Sequence, residues 1–143
     1  MNTSRRLFAL IDCNCFYCSC ERICRPWLKR RPVVVLSNND GCVIARSAEA
    51  KAIGIGMGAA YYQVREQMRH QGVVACSSNY ALYADISNRV MRIMAEMLPG
   101  IEVYSIDEAW GDMTGIADPG ALGRSIRERL AQEIGMPVGV GIS

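Results

Sequence analysis

Apolar and polar positions along the chain alternate between two rhythms. "LFALID" (7–12) is a short apolar run closed by an acid, and it reads as a strand. "CFYCSCERICRPWLKR" follows at helical spacing and is predicted to close near Pro26. "PVVVLS" (32–37) is a valine-rich strand, "NNDG" a turn, and "CVIA" (42–45) the strand returning from it. Ser47 is placed to cap a short helix, "AEAKAI", ended by Gly54. "AAYYQVREQMRHQG" is a further helix closed by Gly72, and "VVACSS" (73–78) another strand. In "NYALYADISNRVMRIMAEML" Leu82, Ile86, Val90, Ile93, Met94 and Met97 recur at helical spacing and predict one buried stripe. "IEVYSI" and "AWGDM" predict a hairpin. Asp118-Pro119 opens a last helix over 119–134, and "PVGVGIS" is a final strand.

With the middle of the chain set aside, the remaining elements run strand 7–12, helix 79–98, strands 101–106 and 109–113, helix 119–134, strand 138–142. This is the β-α-β-β-α-β order of a ferredoxin-like sheet. The expected fold class is therefore α+β, a ferredoxin-like layer carrying an inserted small α/β subdomain. Strand 7–12 is expected beside strand 101–106. A strand ending at Ser143 with no cap after it leads us to expect that the natural chain continues.

Composition adds little until it is resolved by position. Half of the 143 residues are apolar, so a packed core is expected rather than disorder. Net charge is +2. Residues 1–31, however, hold seven basic residues against two acids, a balance of +5, and the remainder stands at −3. A basic first third fits a polyanionic partner, and it equally fits a solvated helix end. No stretch is long enough to span a bilayer. "MNTSRRLFALIDC" imitates a leader, but Asp12 and Asn14 interrupt its apolar part and no clean cleavage site follows. The expected location is cytoplasmic, with no membrane partner, and the seven cysteines are expected as thiols.

The chemistry concentrates in "YSIDEAWGDMTG" (104–115). Asp107 and Glu108 sit side by side at the end of an apolar strand. Neighbours in a straight strand point to opposite faces, so they converge only where the strand ends or turns. Asp12 ends the strand expected alongside. Three gathered carboxylates repel one another unless a cation sits among them. An oxygen-only cluster suits a hard ion, Mg²⁺ above all, and two such ions serve phosphoryl transfer. On the residues alone, a merely solvated hairpin remains the alternative.

"FALIDCNCFYCSCE", "RPVVVLSNNDGCVIARSAEAKAIGIGMG", "SSNYALYADISNRVM" and "YSIDEAWGDMTG" together resemble, in order, the motifs of Y-family translesion DNA polymerases, on the UmuC branch. The resemblance implies a catalytic palm over 1–18 and 83–143 and a fingers subdomain over 19–82. The family's thumb and little finger lie downstream of the matched motifs. The implied activity is error-prone DNA-directed DNA polymerisation, adding a deoxynucleotide to a primer 3′-hydroxyl with two Mg²⁺ ions, for which Mn²⁺ can substitute. Asp12, Asp107 and Glu108 match the family's metal-binding acids. Cys13 matches the position whose backbone carbonyl meets a metal. Tyr17, with Phe16 beside it, matches the steric gate, a ring that clashes with a ribonucleotide 2′-hydroxyl. Lys51, with Arg46, matches the fingers segment that meets the triphosphate. Where many members carry an aromatic and an arginine, this chain has Ala48 and Lys51, which removes one phosphate contact. Small residues here, such as Ser47, Gly54 and Gly56, leave room over a damaged template base. Implied partners are primer-template DNA and dNTP and, for a full-length protein in the SOS response, a processed UmuD-type dimer, the RecA filament and the sliding clamp. The 143 residues alone are expected to extend primers poorly.

Two other readings compete. A non-catalytic module of the mutagenesis complex would bind its partner subunit whatever the state of the acids. A zinc domain would use the dense cysteines at 13, 15, 18, 20 and 24, but it lacks a second ligand pair at matching distance. Nucleotidyl cyclases share the strand order and the acids, and Tyr17 with the fingers motif argues against them.

Overall fold

The structure is a computed structural model, and it describes residues 6–143. It divides into two compact units, one formed by residues 1–14 and 83–143 and the other by residues 15–82. The first boundary thus follows Asn14, whereas the expected partition kept residues 15–18 with the first unit.

In the first unit, β1 (Phe8–Cys13), β5 (Ile101–Ser105), β6 (Glu108–Asp112) and β7 (Val138–Ile142) form one sheet in the order β5-β6-β1-β7. With helices α4 (Tyr80–Met97) and α5 (Pro119–Glu133) this is the ferredoxin-like arrangement. All three strand pairs are antiparallel. The expectation that β1 lies beside residues 101–106 is corrected here: β1 pairs with β6 and β7. The hairpin itself is as expected, but the crossover through α4 is a split β-α-β unit: β5 lies one place away from β1 and its hairpin partner β6 fills the gap, antiparallel to both.

The sheet buries one face only. In β1, Ala9, Ile11 and Cys13 are buried while Phe8 and Asp12 are exposed. In β6, Ala109 and Gly111 are buried while Trp110 and Asp112 are exposed. The period of two matches a half-covered sheet. The covering stripe on α4 is Tyr83, Ile86, Ser87, Val90, Ile93 and Met94. Leu82 and Met97, expected in that stripe, are only half-buried. On α5 the stripe is Gly123, Ile126 and Leu130. Asp118 caps α5 by accepting from the Ala121 N–H at 3.1 Å.

In the second unit, β2 (Val33–Leu36) lies between β3 (Val43–Arg46), antiparallel, and β4 (Val74–Cys76), parallel. All four residues of β2 are buried, so both of its faces are covered. Val34 and Leu36 join a cluster with Val43, Ala50, Ile55 and Met68. The helices are α1 (Phe16–Cys24), α2 (Ala48–Ala52) and α3 (Tyr61–His70). Past α1 the expected helix becomes a short 3₁₀ turn at Pro26–Leu28, where proline cannot supply the next amide. Ser47 is fully buried and caps α2 as expected. Its hydroxyl accepts from the Ala50 N–H at 3.2 Å and from the Val33 N–H at 2.9 Å. Gly72, which closes α3, has φ +70°, a conformation that glycine adopts without strain. No helix among the described residues is long and apolar enough to cross a membrane.

Candidate metal centre

Asp12 and Glu108 are direct cross-strand partners in the β1–β6 ladder. Direct partners point to the same side of a sheet, here the side that the helices leave uncovered. Asp107 reaches them from the turn. Three contacts fix that turn. The Cys13 N–H donates to the Asp107 carbonyl at 2.8 Å. The Ser87 hydroxyl on α4 donates to the Ile106 carbonyl. The Ser105 hydroxyl donates to Asp107 Oδ1 at 2.9 Å and so orients the carboxylate itself.

The result is a cluster in which one carboxylate oxygen from each of Asp12, Asp107 and Glu108 lies within 4.8 Å of the others. Asp12 is exposed and the other two are half-buried. Partial loss of water around Asp12, with the Asp107 charge adding to it, raises the Asp12 pKa from its ordinary value. An anionic oxygen set of this kind fits a hard divalent cation. The neighbouring Cys13 is buried, and burial, reinforced by the charges of Asp107 and Asp12, pushes its thiol up to about 12. Its side chain lies on the buried face of β1, away from Asp12, and it does not join the cluster of acids.

The surroundings leave the site open. Gly139 of β7 is the partner of Asp12, and Gly141 is the partner of Leu10. A Cβ on Gly141 would meet nothing within 4 Å. Bare backbone therefore flanks the acids on one side. On the other side Trp110, 41 % exposed, stands opposite Leu10.

The remaining expected site residues belong to the second unit. Phe16 is buried and Tyr17 half-buried, their ring centroids 5.7 Å apart. Tyr17 also meets Tyr80 edge-on at 6.2 Å. Arg46 gives a guanidinium N–H to the Ile55 carbonyl at 2.6 Å, so part of its donor set is spent inside its own unit. Lys51 is exposed in the last turn of α2.

The cysteines are dispersed. Cys18 and Cys20 are buried, Cys15 and Cys24 exposed. The Cys18 thiol donates to the Val33 carbonyl at 3.5 Å, and the Cys76 sulfur accepts from Arg25 at 3.0 Å. Among the described residues, the three acids form the one group of histidine, cysteine or acidic side chains placed to hold a metal. Ser87 and Ser105 escaped the sequence reading. A serine in a helix and another in a strand carry no signal until the turn between them is placed.

The family model for impB/mucB/samB proteins matches residues 11–143. UmuC from Salmonella typhimurium strain LT2 is 56 % identical over 140 residues, covering 96 % of this chain and 33 % of that protein. A DNA polymerase IV from Moorella thermoacetica is 35 % identical over 141 residues, covering 93 % of this chain and 35 % of that protein. Among solved structures, DinB from Sulfolobus solfataricus superposes with a TM-score of 0.84 at 25 % identity, over 96 % of this chain and 42 % of that one. The chain spans about a third of the length of the curated relatives it matches. With nearly all of its residues inside the family model, the chain belongs to the impB/mucB/samB family.

Proposed function

We propose that this chain is the palm and fingers portion of a UmuC-like, error-prone DNA polymerase that adds deoxynucleotides to a primer 3′-hydroxyl across damaged template. The observation that carries this reading is the convergence of Asp12, Asp107 and Glu108 within 4.8 Å on an uncovered sheet face. The unit formed by residues 1–14 and 83–143 takes the palm role, and residues 15–82 the fingers role. Asp12, Asp107 and Glu108 would hold two Mg²⁺ ions. When bound, the ions supply charge neutralisation on the triphosphate and a lowered pKa for the attacking hydroxyl.

The chain's own residues do the rest. Ser105 and the Cys13 amide hold Asp107 in its orientation before any ligand arrives. The bare backbone at Gly139 and Gly141 leaves space beside the acids for a sugar-phosphate end. Tyr17, its ring braced by Phe16 and Tyr80, rejects ribonucleotides by clashing with the 2′-hydroxyl. Lys51 carries an exposed charge for the triphosphate, and Arg46 contributes the donors that Ile55 leaves over. The processed UmuD-type dimer, RecA filament and sliding clamp belong to the full-length protein within this reading.

The test is primer extension by the full-length protein carrying Asp107→Asn. Extension should fall by at least roughly a hundredfold. In parallel, paramagnetic broadening by Mn²⁺ of signals around residues 12 and 107–108 in the 143-residue chain should disappear in the same variant. Undiminished extension by Asp107→Asn sinks the proposal.

A further inference from the structure

Three arginines outside the metal centre share one cavity. Arg31 precedes β2, and Arg65 and Arg69 stand four residues apart on one face of α3. They line a cavity of about 480 Å³ whose floor includes Met68 and Val73. That volume is in the range of small-ligand sites. Among the described residues, none of the three guanidinium groups has an ion-pair or hydrogen-bond partner. Elsewhere in the same unit arginines are used internally: Arg22 pairs with Glu49 at 2.8 Å and Arg25 with Glu21 at 2.9 Å. Glu66 also lines the wall, which leaves a surplus of two positive charges there.

The cavity wall includes a backbone donor as well. β4 is the edge of its sheet. The Val74 N–H donates to the Pro32 carbonyl at 2.9 Å, towards β2. Strand alternation then turns the next N–H, that of Ala75, to the free edge, and Ala75 lines the cavity.

We infer that this cavity is a second anion site, one that takes phosphate groups. Guanidinium forks match phosphate oxygens in pairs, and all the cationic groups here are arginines. Two neighbouring guanidinium groups on α3 repel each other when empty, and a bound dianion removes that cost. An acidic peptide added as a strand fits less well, because β4 is only three residues long and turns just one N–H outward. The phosphate comes either from a nucleic-acid strand or from a free polyphosphate, and the chemistry is shared.

The test uses the 143-residue chain in EDTA, so that the metal centre takes no part. A labelled oligothymidylate is followed by fluorescence anisotropy, and pyrophosphate by calorimetry. Arg65→Ala/Arg69→Ala should weaken the phosphate ligand by roughly tenfold or more and lower the salt slope by about 1.4, or 0.7 per lost contact. Arg65→Lys/Arg69→Lys, which keeps charge and loses the fork, should fall between that variant and the parent. Arg89→Ala/Arg92→Ala on α4, an equal loss of charge elsewhere, should bind as the parent does. Saturation by pyrophosphate that displaces the oligonucleotide assigns the site to free polyphosphate. Oligonucleotide binding without such competition assigns it to a strand backbone. The inference is overturned if the Arg65/Arg69 double alanine variant binds like the parent, if neither ligand binds, or if polyglutamate binds as tightly as the oligonucleotide.

Discussion

The two sheets of this protein handle burial in opposite ways. β1 alternates, with Ile11 and Cys13 buried and Asp12 between them exposed. β2 does not alternate, and Val33 to Leu36 are buried without exception. A half-covered sheet can present side chains at every second position, each aimed by the ladder. A sheet covered on both faces cannot, so whatever chemistry it supports must come from its edge or from the helices around it. That is how the two units are built. The acids sit on strand and turn positions of the first sheet, whereas the arginine cavity of the second unit is lined from α3 and from the edge strand β4.

The sharpest way to break this comparison is to substitute neighbours. In β1, Ile11→Ala should cost about 2–4 kcal/mol and Leu10→Ala about 1 kcal/mol or less, because only Ile11 is buried. In β2, Val34→Ala and Val35→Ala should both cost about 2 kcal/mol, since each empties space on a covered face. Urea midpoints at constant m-value measure all four. Equal costs for Ile11 and Leu10 would show that the open face of the first sheet is covered in solution.

Under alkali the two units behave alike, since each buries a thiol pushed up to about 12, Cys13 in the first and Cys18 in the second. Cys18 is fully buried in the second unit, and burial pushes its thiol up to about 12. The unfolded thiol ionises near the ordinary cysteine value, so the folded state holds the proton to higher pH. Its stabilising contribution is complete below the unfolded value and is lost as pH rises towards about 12. Stability should fall by about 1.4 kcal/mol per pH unit in that window from this one group. Cys18→Ala should flatten the slope, as read by urea unfolding at several pH values. An unchanged slope in that variant would show that Cys18 is not the group responsible.

Much of this architecture was legible in the chain and some was not, for physical reasons. The apolar run closed by Asp12 and the stripe on α4 were legible because they report local burial. The alternation within β1 was not, since the outward Phe8 and Leu10 are apolar like their buried neighbours. The strand order was legible as far as β-α-β-β-α-β goes, but the neighbour of β1 was not. That depends on which strand of the β5–β6 hairpin lies against β1, a long-range choice that no local pattern records. The three acids were still expected together, because Asp12, Asp107 and Glu108 lie near the same sheet edge under either pairing. Their supports were not visible. Ser105 and Ser87 act through a carboxylate and a carbonyl that only the folded turn brings to them. Arg65 and Arg69 were readable as one helix face, while Arg31 joins them from more than thirty positions away.

The supports of Asp107 give the next prediction. Ser105→Ala removes the hydroxyl that orients the carboxylate and leaves all three acids in place. Metal affinity of the 143-residue chain should drop about tenfold, since the partners of a metal-binding carboxylate tune its orientation rather than supply the ligand. Thermal stability should barely move. A calorimetric Mn²⁺ titration checks the first point and a melting curve the second. An unaltered affinity would mean that the turn alone, through the Cys13 amide, fixes Asp107.

The smallest effect lies on the glycines of the first sheet, and it separates its two faces by a single methyl group. Gly111 faces the helices, and a Cβ there would lie 2.4 Å from Leu98 Cδ1. Gly141 belongs to the open side, and a Cβ there would meet nothing within 4 Å. Gly111→Ala should therefore cost about 1 kcal/mol, held at the low end of overpacking because the end of the Leu98 side chain can turn away. Gly141→Ala should change stability by less than about 0.5 kcal/mol. The same methyl at Gly141 intrudes on the bare backbone beside the acids, so in the full-length protein it should raise the KM for primer-template while leaving the fold intact. If Gly141→Ala destabilised the chain as much as Gly111→Ala, the distinction between a covered and an open face would fail at β7, the strand beside Asp12.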